Sequence, residues 1–423
     1  MSSNFLTRIA SVIQWAAFAS LMIFTPLAQG GASRWALCVS LWLVLLAFSA
    51  MILRRMWQGK GLLPLSHLEI PIALLLLIAA ASWFVSIYKG ATTWALLRLL
   101  LYCGAFYLAL EAAESRSQTR SLLIALIGIG TLLSFIGFIK YAGRPIPDFW
   151  SIFPRRLNST FVNRNHFAGY LEMVFALGLG VVLFRPAIKT LIWASCLFLI
   201  LLALLFTVSR GAWVSTFGAL VFMGVFFFLR QGVNKVKIFC ISLALVLVIS
   251  LSFLGSHSMM EGLQSLGNLK DRGLAYSRLP VWQSCFQLVR ENPVQGTGLG
   301  TFPWSFTQVY PAGLDNRWLK AHNDYIQIVT ETGLLVLLPI IWGLILLFRN
   351  GLRTYWRTES RFRAGITLGA LTGVVAILIN SLVGFNIQIT SNGILFSVLI
   401  GLVMGSSSPE KSKSRFTYGV TKA

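Results

Sequence analysis

Four short stretches concentrate the residues able to do chemistry. The first is Asn163-Arg164-Asn165-His166-Phe167-Ala168-Gly169-Tyr170-Leu171-Glu172-Met173, which packs a guanidinium, two amides, an imidazole and a carboxylate into the mouth of an apolar run. Asn163 or Asn165 could simply cap a helix N-terminus. Glu172 lies six residues past His166, more than one helical turn into that run. A carboxylate there is costly unless partnered, so it is expected to face the protein interior and to pair with an arginine. The second stretch, Thr207-Val208-Ser209-Arg210-Gly211-Ala212-Trp213, interrupts an otherwise apolar sequence from 188 to 229. Arg210 could grip an anion or snorkel to lipid headgroups. Gly211 and Ala212 would let a backbone or a ligand come close.

The third stretch holds Arg278, in Tyr276-Ser277-Arg278-Leu279-Pro280-Val281-Trp282, and continues to Glu291-Asn292-Pro293-Val294-Gln295-Gly296-Thr297-Gly298-Leu299-Gly300-Thr301-Phe302. Residues 281–290 carry a helical apolar pattern that fits an amphipathic helix lying on a membrane surface. The G-x-G-x-G run could cradle a phosphate. No strand precedes it and no Lys-Ser/Thr follows it, so tight turns account for it equally well. The fourth stretch is Lys320-Ala321-His322-Asn323-Asp324-Tyr325-Ile326-Gln327, followed by Glu331-Thr332-Gly333. A lone interfacial histidine is more often structural than catalytic. His322, however, stands close in sequence to Asp324 and Glu331, and an imidazole near a carboxylate suits general-base work at neutral pH.

What is missing narrows the chemistry. There is no D-x-D, H-E-x-x-H, Walker loop or G-x-S-x-G. Only 13 Asp and Glu occur in 423 residues, which argues against a divalent site built from carboxylates. Phosphate chemistry would then rely on arginine, which stays charged and binds phosphate oxygens in pairs. No metal and no cofactor is expected. Cys38, Cys103, Cys196, Cys240 and Cys285 form no C-x-x-C, so neither a disulfide framework nor a zinc site is indicated.

The elements that must position these residues are membrane helices. The chain is 56% hydrophobic and 11% charged, against about 25% charged in soluble domains. Crossing the hydrocarbon core takes about 20 apolar residues. Spans are expected near 9–28, 35–53, 68–88, 91–110, 121–141, 166–184, 188–207, 211–229, 238–255, 331–348, 364–385 and 391–405. The expected fold class is thus an all-α polytopic membrane protein of about twelve transmembrane helices. It forms a single domain over 1–405, with long outer loops at about 142–165 and 256–330 and a short basic tail over 406–423. The first apolar run reads as an uncleaved span rather than a signal peptide. No internal repeat of the transporter kind is visible.

Net charge is +22. In a soluble protein that would suggest nucleic acid. Here cytoplasmic loops accumulate Lys and Arg, and no nucleic-acid partner is expected. With twelve spans, one set of loops holds Arg54, Arg55, Arg116, Arg120, Arg230 and the run Arg349 to Arg363, and the tail adds Lys411, Lys413, Arg415 and Lys422. That side is read as cytoplasmic, with both termini inside. Arg98 falls within the fourth span. Arg8, Lys60, Arg185, Lys189, Lys235 and Lys237 fall on the same inner side, and Arg34 and Lys89 lie in two short outer loops; the other cations cluster at Lys140 to Arg164, Arg210 and Lys270 to Lys320, against the inside bias. An anion-binding site on the outer face would explain them.

At these four places the sequence resembles the O-antigen ligase and polymerase superfamily. The matching segments are N-R-N-H-F-A-G-Y at 163–170, S-R-G-A-W at 209–213, R-L-P-V-W at 278–282, N-P-V-Q-G-T-G-L-G-T-F at 292–302, H-N-D-Y-I-Q at 322–327 and E-T-G at 331–333. The resemblance covers about 160 to 340. It implies a metal-independent, inverting glycosyltransferase of GT-C-like build in the bacterial inner membrane. Such an enzyme moves a glycan from undecaprenyl diphosphate to an acceptor at the periplasmic face, among membrane lipids. The acceptor is lipid A–core for a ligase and another lipid-linked glycan for a polymerase. A protein-glycosylating branch often carries a long soluble C-terminal extension, which this chain does not show. On this resemblance Arg210 and Arg278 grip the donor diphosphate and His322 is the catalytic base. Asn163, Arg164, His166, Glu172, Asp324 and Tyr325 become substrate-binding candidates. The ligase is the first expectation and the polymerase the alternative. A lipid-linked glycan transporter is the reading from another class, and Arg98 is the main feature in its favour.

Overall fold

The computed structural model describes residues 3–144, 157–184, 191–232, 278–311 and 318–406. Every long element among them is an α-helix: α1 (Ser3–Leu27), α2 (Arg34–Trp57), α3 (Glu69–Ala81), α4 (Lys89–Ala113), α5 (Arg116–Tyr141), α6 (Arg164–Leu183), α7 (Leu191–Phe206), α8 (Arg210–Gln231), α9 (Arg278–Glu291), α10 (Asp324–Thr332), α11 (Leu337–Arg357), α12 (Arg361–Asn380) and α13 (Thr390–Ser406).

Among the described residues eight helical stretches are long and apolar enough to cross a membrane: Phe5–Leu27, Arg34–Trp57, Lys89–Ala113, Arg116–Tyr141, Arg164–Leu183, Arg210–Gln231, Leu334–Arg357 and Arg361–Asn380. Three more apolar helices, α3, α7 and α13, coincide with expected spans but are shorter. The 13 residues of α3 reach roughly 20 Å, less than the ~30 Å hydrocarbon core. The ninth expected span, 238–255, lies outside the described residues. So do residues 145–156 of the first expected loop, residues 256–277 and 312–317 of the second, and the tail from 407. The outward surface is apolar: Trp42, Phe217, Leu338 and Leu77 are all at least two-thirds or nearly two-thirds exposed. Lipid is the solvent that tolerates such a surface.

Two close helix pairs set the frame. α6 and α12 meet along glycines, and a Cβ on Gly180 would lie 2.4 Å from the Gly369 Cα. α4 and α13 meet likewise, and a Cβ on Gly401 would lie 2.6 Å from the Phe106 carbonyl oxygen. Small residues at such seams let backbones approach where no hydrophobic effect drives association. The first seam holds the polar start of α6 beside the end of α12. The second holds α4, with Arg98, beside the start of α13.

α9 corrects one expectation. It is amphipathic, but its inner face does not lie on lipid. Val281 and Cys285 are buried with Phe302, Phe306 and Ala321 in a small separate core. Phe302 and Phe306 from the segment 292–311, and Ala321 from the segment 318–323, supply the apolar cover.

Candidate active site

Every candidate residue from the sequence is described, and most converge on a turn that the sequence reading passed over. This turn runs from Asn380 to Ile389 between α12 and α13, with a 3-10 segment at Asn386–Gln388. Arg278, at the start of α9, donates a guanidinium hydrogen bond to the Val383 carbonyl. Gly211, next to Arg210, faces the same residue, since a Cβ there would sit 3.1 Å from Val383 Cγ2. The rings of His166 and His322 both pack edge-on against Phe385, at 4.5 and 4.9 Å between centroids. Asn323 donates from Nδ2 to the Leu382 carbonyl at 3.0 Å.

Local chemistry explains how each side chain is held. Asn163 caps α6, its side chain accepting from the Asn165 N–H at 2.8 Å. The capping reading is therefore the structural one for Asn163. Arg164 is half-buried at the first position of the helix. Arg210 opens α8 after a kink at Val208, whose φ of 52° is rare for a β-branched residue. His322 is itself left-handed, with φ 53°. It is held there because Asn323 caps α10, accepting from the Tyr325 and Ile326 N–H groups at 3.0 Å each. On the other side, Trp282 Nε1 donates to the Ala321 carbonyl at 2.9 Å. Sparsely populated backbone fixed from both flanks is characteristic of sites.

A buried polar chain runs from the turn into the bundle. His166 Nδ1 meets Asn386 Oδ1 at 2.8 Å. Asn386 Nδ2 donates to Asn380 Oδ1, and Asn380 Nδ2 donates to Glu172 Oε1, each at 2.9 Å. Ser215 of α8 donates to the other Glu172 oxygen. Glu172 faces the interior as expected, but its partners are an amide and a hydroxyl rather than an arginine. Neutral donors satisfy it without drawing a cation from the site.

The carboxylates near His322 also differ from expectation. Asp324 accepts from Ser381 Oγ at 2.9 Å, the Ile387 N–H at 3.3 Å and Gln388 Nε2 at 2.8 Å. Glu331 accepts from the Gly300 N–H at 2.7 Å, the Phe302 N–H at 3.2 Å and Gln327 Nε2 at 2.9 Å. The glycine-rich loop does cradle an anion, and that anion is the chain's own Glu331. Among the described residues neither carboxylate bonds to His322, so no His–carboxylate dyad forms. The imidazole is instead flanked by the Trp318 and Phe385 rings. Tyr325 directs its hydroxyl to the Leu378 carbonyl at 2.7 Å.

The electrostatics follow from this packing. Burial, then the Arg278 charge, then His166 pull the His322 pKa down to about 4, so the imidazole is neutral at pH 7. Burial and the neighbouring Arg210 lower that of Arg278. Burial pushes Asp324 up to about 6, against its three hydrogen bonds. Among the described residues every ion pair joins Arg54 or Arg55 to Glu111 or Glu114. Arg210 and Arg278 therefore sit together with no carboxylate between them.

A helical bundle with an apolar exterior, and with cations and a neutral imidazole gathered on helix ends and turns, fits a multi-pass membrane protein. Residues 195–341 match the family model Wzy_C, described as O-antigen ligase. No curated protein matches the chain. The matched segment contains Arg210, Arg278 and His322. The turn at 380–389 and α6, which complete the site, lie outside it. The sequence signal for that turn was the polar run Asn386-Ile387-Gln388-Ile389-Thr390-Ser391-Asn392 between two apolar stretches.

Proposed function

We propose that the protein is an O-antigen ligase. It transfers a glycan from undecaprenyl diphosphate to lipid A–core at the periplasmic face of the inner membrane, without a metal and with inversion. The observation that carries this reading is the neighbouring Arg210 and Arg278, without carboxylate partners among the described residues, beside a neutral His322. The acceptor hydroxyl oxygen attacks the anomeric carbon and gives its proton to His322. The bond from that carbon to the diphosphate oxygen breaks, and the diphosphate leaves with the electron pair. Arg210 and Arg278 stabilise the charge that builds there, the kind of interaction that usually contributes most. A diphosphate beside Arg278 also offsets the charge that holds His322 low, so donor binding makes the base stronger when it is needed. Arg164 adds positive charge at the mouth of α6. Asn163, His166 and Glu172 position the cleft wall from that helix, and Asp324 and Tyr325 hold the turn and α10 in place.

The metal-free part rests on the scarcity of carboxylates, with only 13 Asp and Glu in 423 residues. EDTA is expected to leave transfer unchanged, and strong inhibition would overturn that part. The ligase assignment is tested by giving purified protein the lipid-linked repeat alone and then with lipid A–core. Product only in the second case supports it. Ladders of growing repeats in the first case make the protein a polymerase. The twelve-span count, inside termini and outward-facing site belong to the same proposal, supported by the loop charges.

A further inference from the structure

A second site lies on the other side of the turn that carries His322. A cavity of about 370 Å³ opens between α3, α4, α10, α11 and α13, within the ~300–1,000 Å³ usual for small-molecule sites. One end is polar, lined by Arg98, Lys320, Asp324, Gln327, Glu331 and Gln388. The far end is apolar, lined by Leu68, Pro71, Phe106, Leu344 and Leu347. Phe106 is eight residues beyond Arg98 on α4, roughly 12 Å along the helix.

The hydrogen-bond ledger at the polar end is lopsided. Asp324 and Glu331 already accept three bonds each, as described above. Arg98 makes no hydrogen bond to any described residue, and its Nε is buried without a partner. Lys320 spends one of its three donors, on Gln388 Oε1 at 2.6 Å. Its pKa is lowered by burial and by the Arg98 charge, against the pull of Glu331 and Asp324. Two neighbouring cations with unspent donors, in a membrane helix and a buried turn, are costly unless an anion meets them. They stand at the head of an apolar slot, so the complementary ligand is an amphiphile with an anionic head and a long hydrocarbon tail.

We propose that this cavity binds the acceptor of the transfer reaction as a phosphate-bearing lipid. Its head lies on Arg98 and Lys320 and its chain runs toward Leu68 and Leu347, separate from the donor grip at Arg210 and Arg278. The assignment to the acceptor rests on the transferase reading. Lys320 and His322 are two residues apart on one turn, so a lipid held by Lys320 places its glycan beside the base.

The test uses the full-length protein in detergent, with geranylgeranyl monophosphate as probe and geranylgeraniol and inorganic phosphate as comparisons. The monophosphate is expected to bind, and inorganic phosphate is expected not to compete with it. Arg98→Gln and Lys320→Gln should each weaken monophosphate binding at least tenfold and leave the alcohol unchanged. A Cβ on Gly343 would meet only Pro71 Cβ, at 3.6 Å. Gly343→Leu and Gly343→Phe should therefore fill the slot and weaken both lipids in graded fashion. Arg210→Ala should leave monophosphate binding intact. Wild-type binding in the Arg98, Lys320 and Gly343 variants, or loss of binding in Arg210→Ala alone, overturns the site. In transfer assays Arg98→Gln should raise the KM for the acceptor and not for the donor. A rise in donor KM instead overturns the acceptor assignment. The binding measurements need no turnover, so they stand or fall apart from the transferase reading.

Discussion

Arginines at two places in this bundle meet opposite fates. Arg54 and Arg55, at the end of α2, both reach Glu111 of α4, at 2.6 and 3.3 Å. Gln14 donates to the remaining Glu111 oxygen at 3.0 Å, and Arg55 Nε donates to the Gly61 carbonyl at 2.7 Å. Among the described residues Arg210 and Arg278 have no such carboxylate, although Glu172, Asp324 and Glu331 all lie on neighbouring elements. Each of those carboxylates is saturated by amides, hydroxyls or backbone N–H groups. The first cluster uses its charges to hold helices together. The second leaves its charges available, which is what binding a diphosphate requires.

That contrast can be broken by mutation. The largest expected effect is on transfer in Arg210→Ala and Arg278→Ala. Each should lose on the order of 10²–10³ in rate, the usual cost of removing a donor that stabilises developing charge. The thermal midpoint should barely move. A large drop in midpoint would mean that these arginines are structural, like Arg54. His322→Ala follows, with a loss of about 10²–10⁴. Near-normal transfer by that variant with purified donor and acceptor would remove it as the base. Glu111→Ala should show the reverse pattern, losing on the order of 3–5 kcal/mol of stability by stranding two arginines, with normal turnover per folded molecule. If it instead abolishes turnover in folded protein, the two clusters are coupled and the contrast fails.

The smallest effects are in pH dependence. In the free enzyme His322 protonates only near pH 4. The acid limb of kcat/KM should therefore not follow His322 between pH 5 and 8, because kcat/KM reports the free enzyme. Protonation of Asp324 as pH falls through about 6 would replace an acceptor with a donor opposite Ser381 and Gln388. A limb near 6 that disappears in Asp324→Asn is the expected sign of this. A limb near 6.5 that survives Asp324→Asn would place His322 in a more open setting than the one described. Stability carries the same signature. The unfolded imidazole takes up a proton near 6.5 and the folded one near 4, so acidification through that window favours unfolding. His322→Ala should flatten that slope.

Much of this molecule was legible from residue types and run lengths. Apolar runs located the helices, because crossing hydrocarbon demands about 20 apolar residues whatever the fold. Arg210, Arg278 and His322 stood out because charge in such a chain is scarce. The partners of those residues were not legible. His322 seemed to have Asp324 and Glu331 beside it, yet sequence proximity does not say where a carboxylate points. Asp324 reaches across to residues 381–388, and Glu331 reaches back to residues 300–302. Glu172 drew a predicted arginine and found Asn380, more than two hundred residues away.

The sequence by itself determined that this is a membrane bundle, and which few charges could act within it. Membrane solvation sets that, since each span must be apolar and each exception stands out. Only the tertiary structure decided which charges are spent and which are kept. The turn at 380–389 joins α6, α9 and α10 through hydrogen bonds and ring contacts that local sequence does not encode, and Gly211 of α8 packs close to it. Glycine seams between α6 and α12, and between α4 and α13, bring that turn to its place. A pairing in three dimensions separates an arginine that braces a helix from one that no described carboxylate holds.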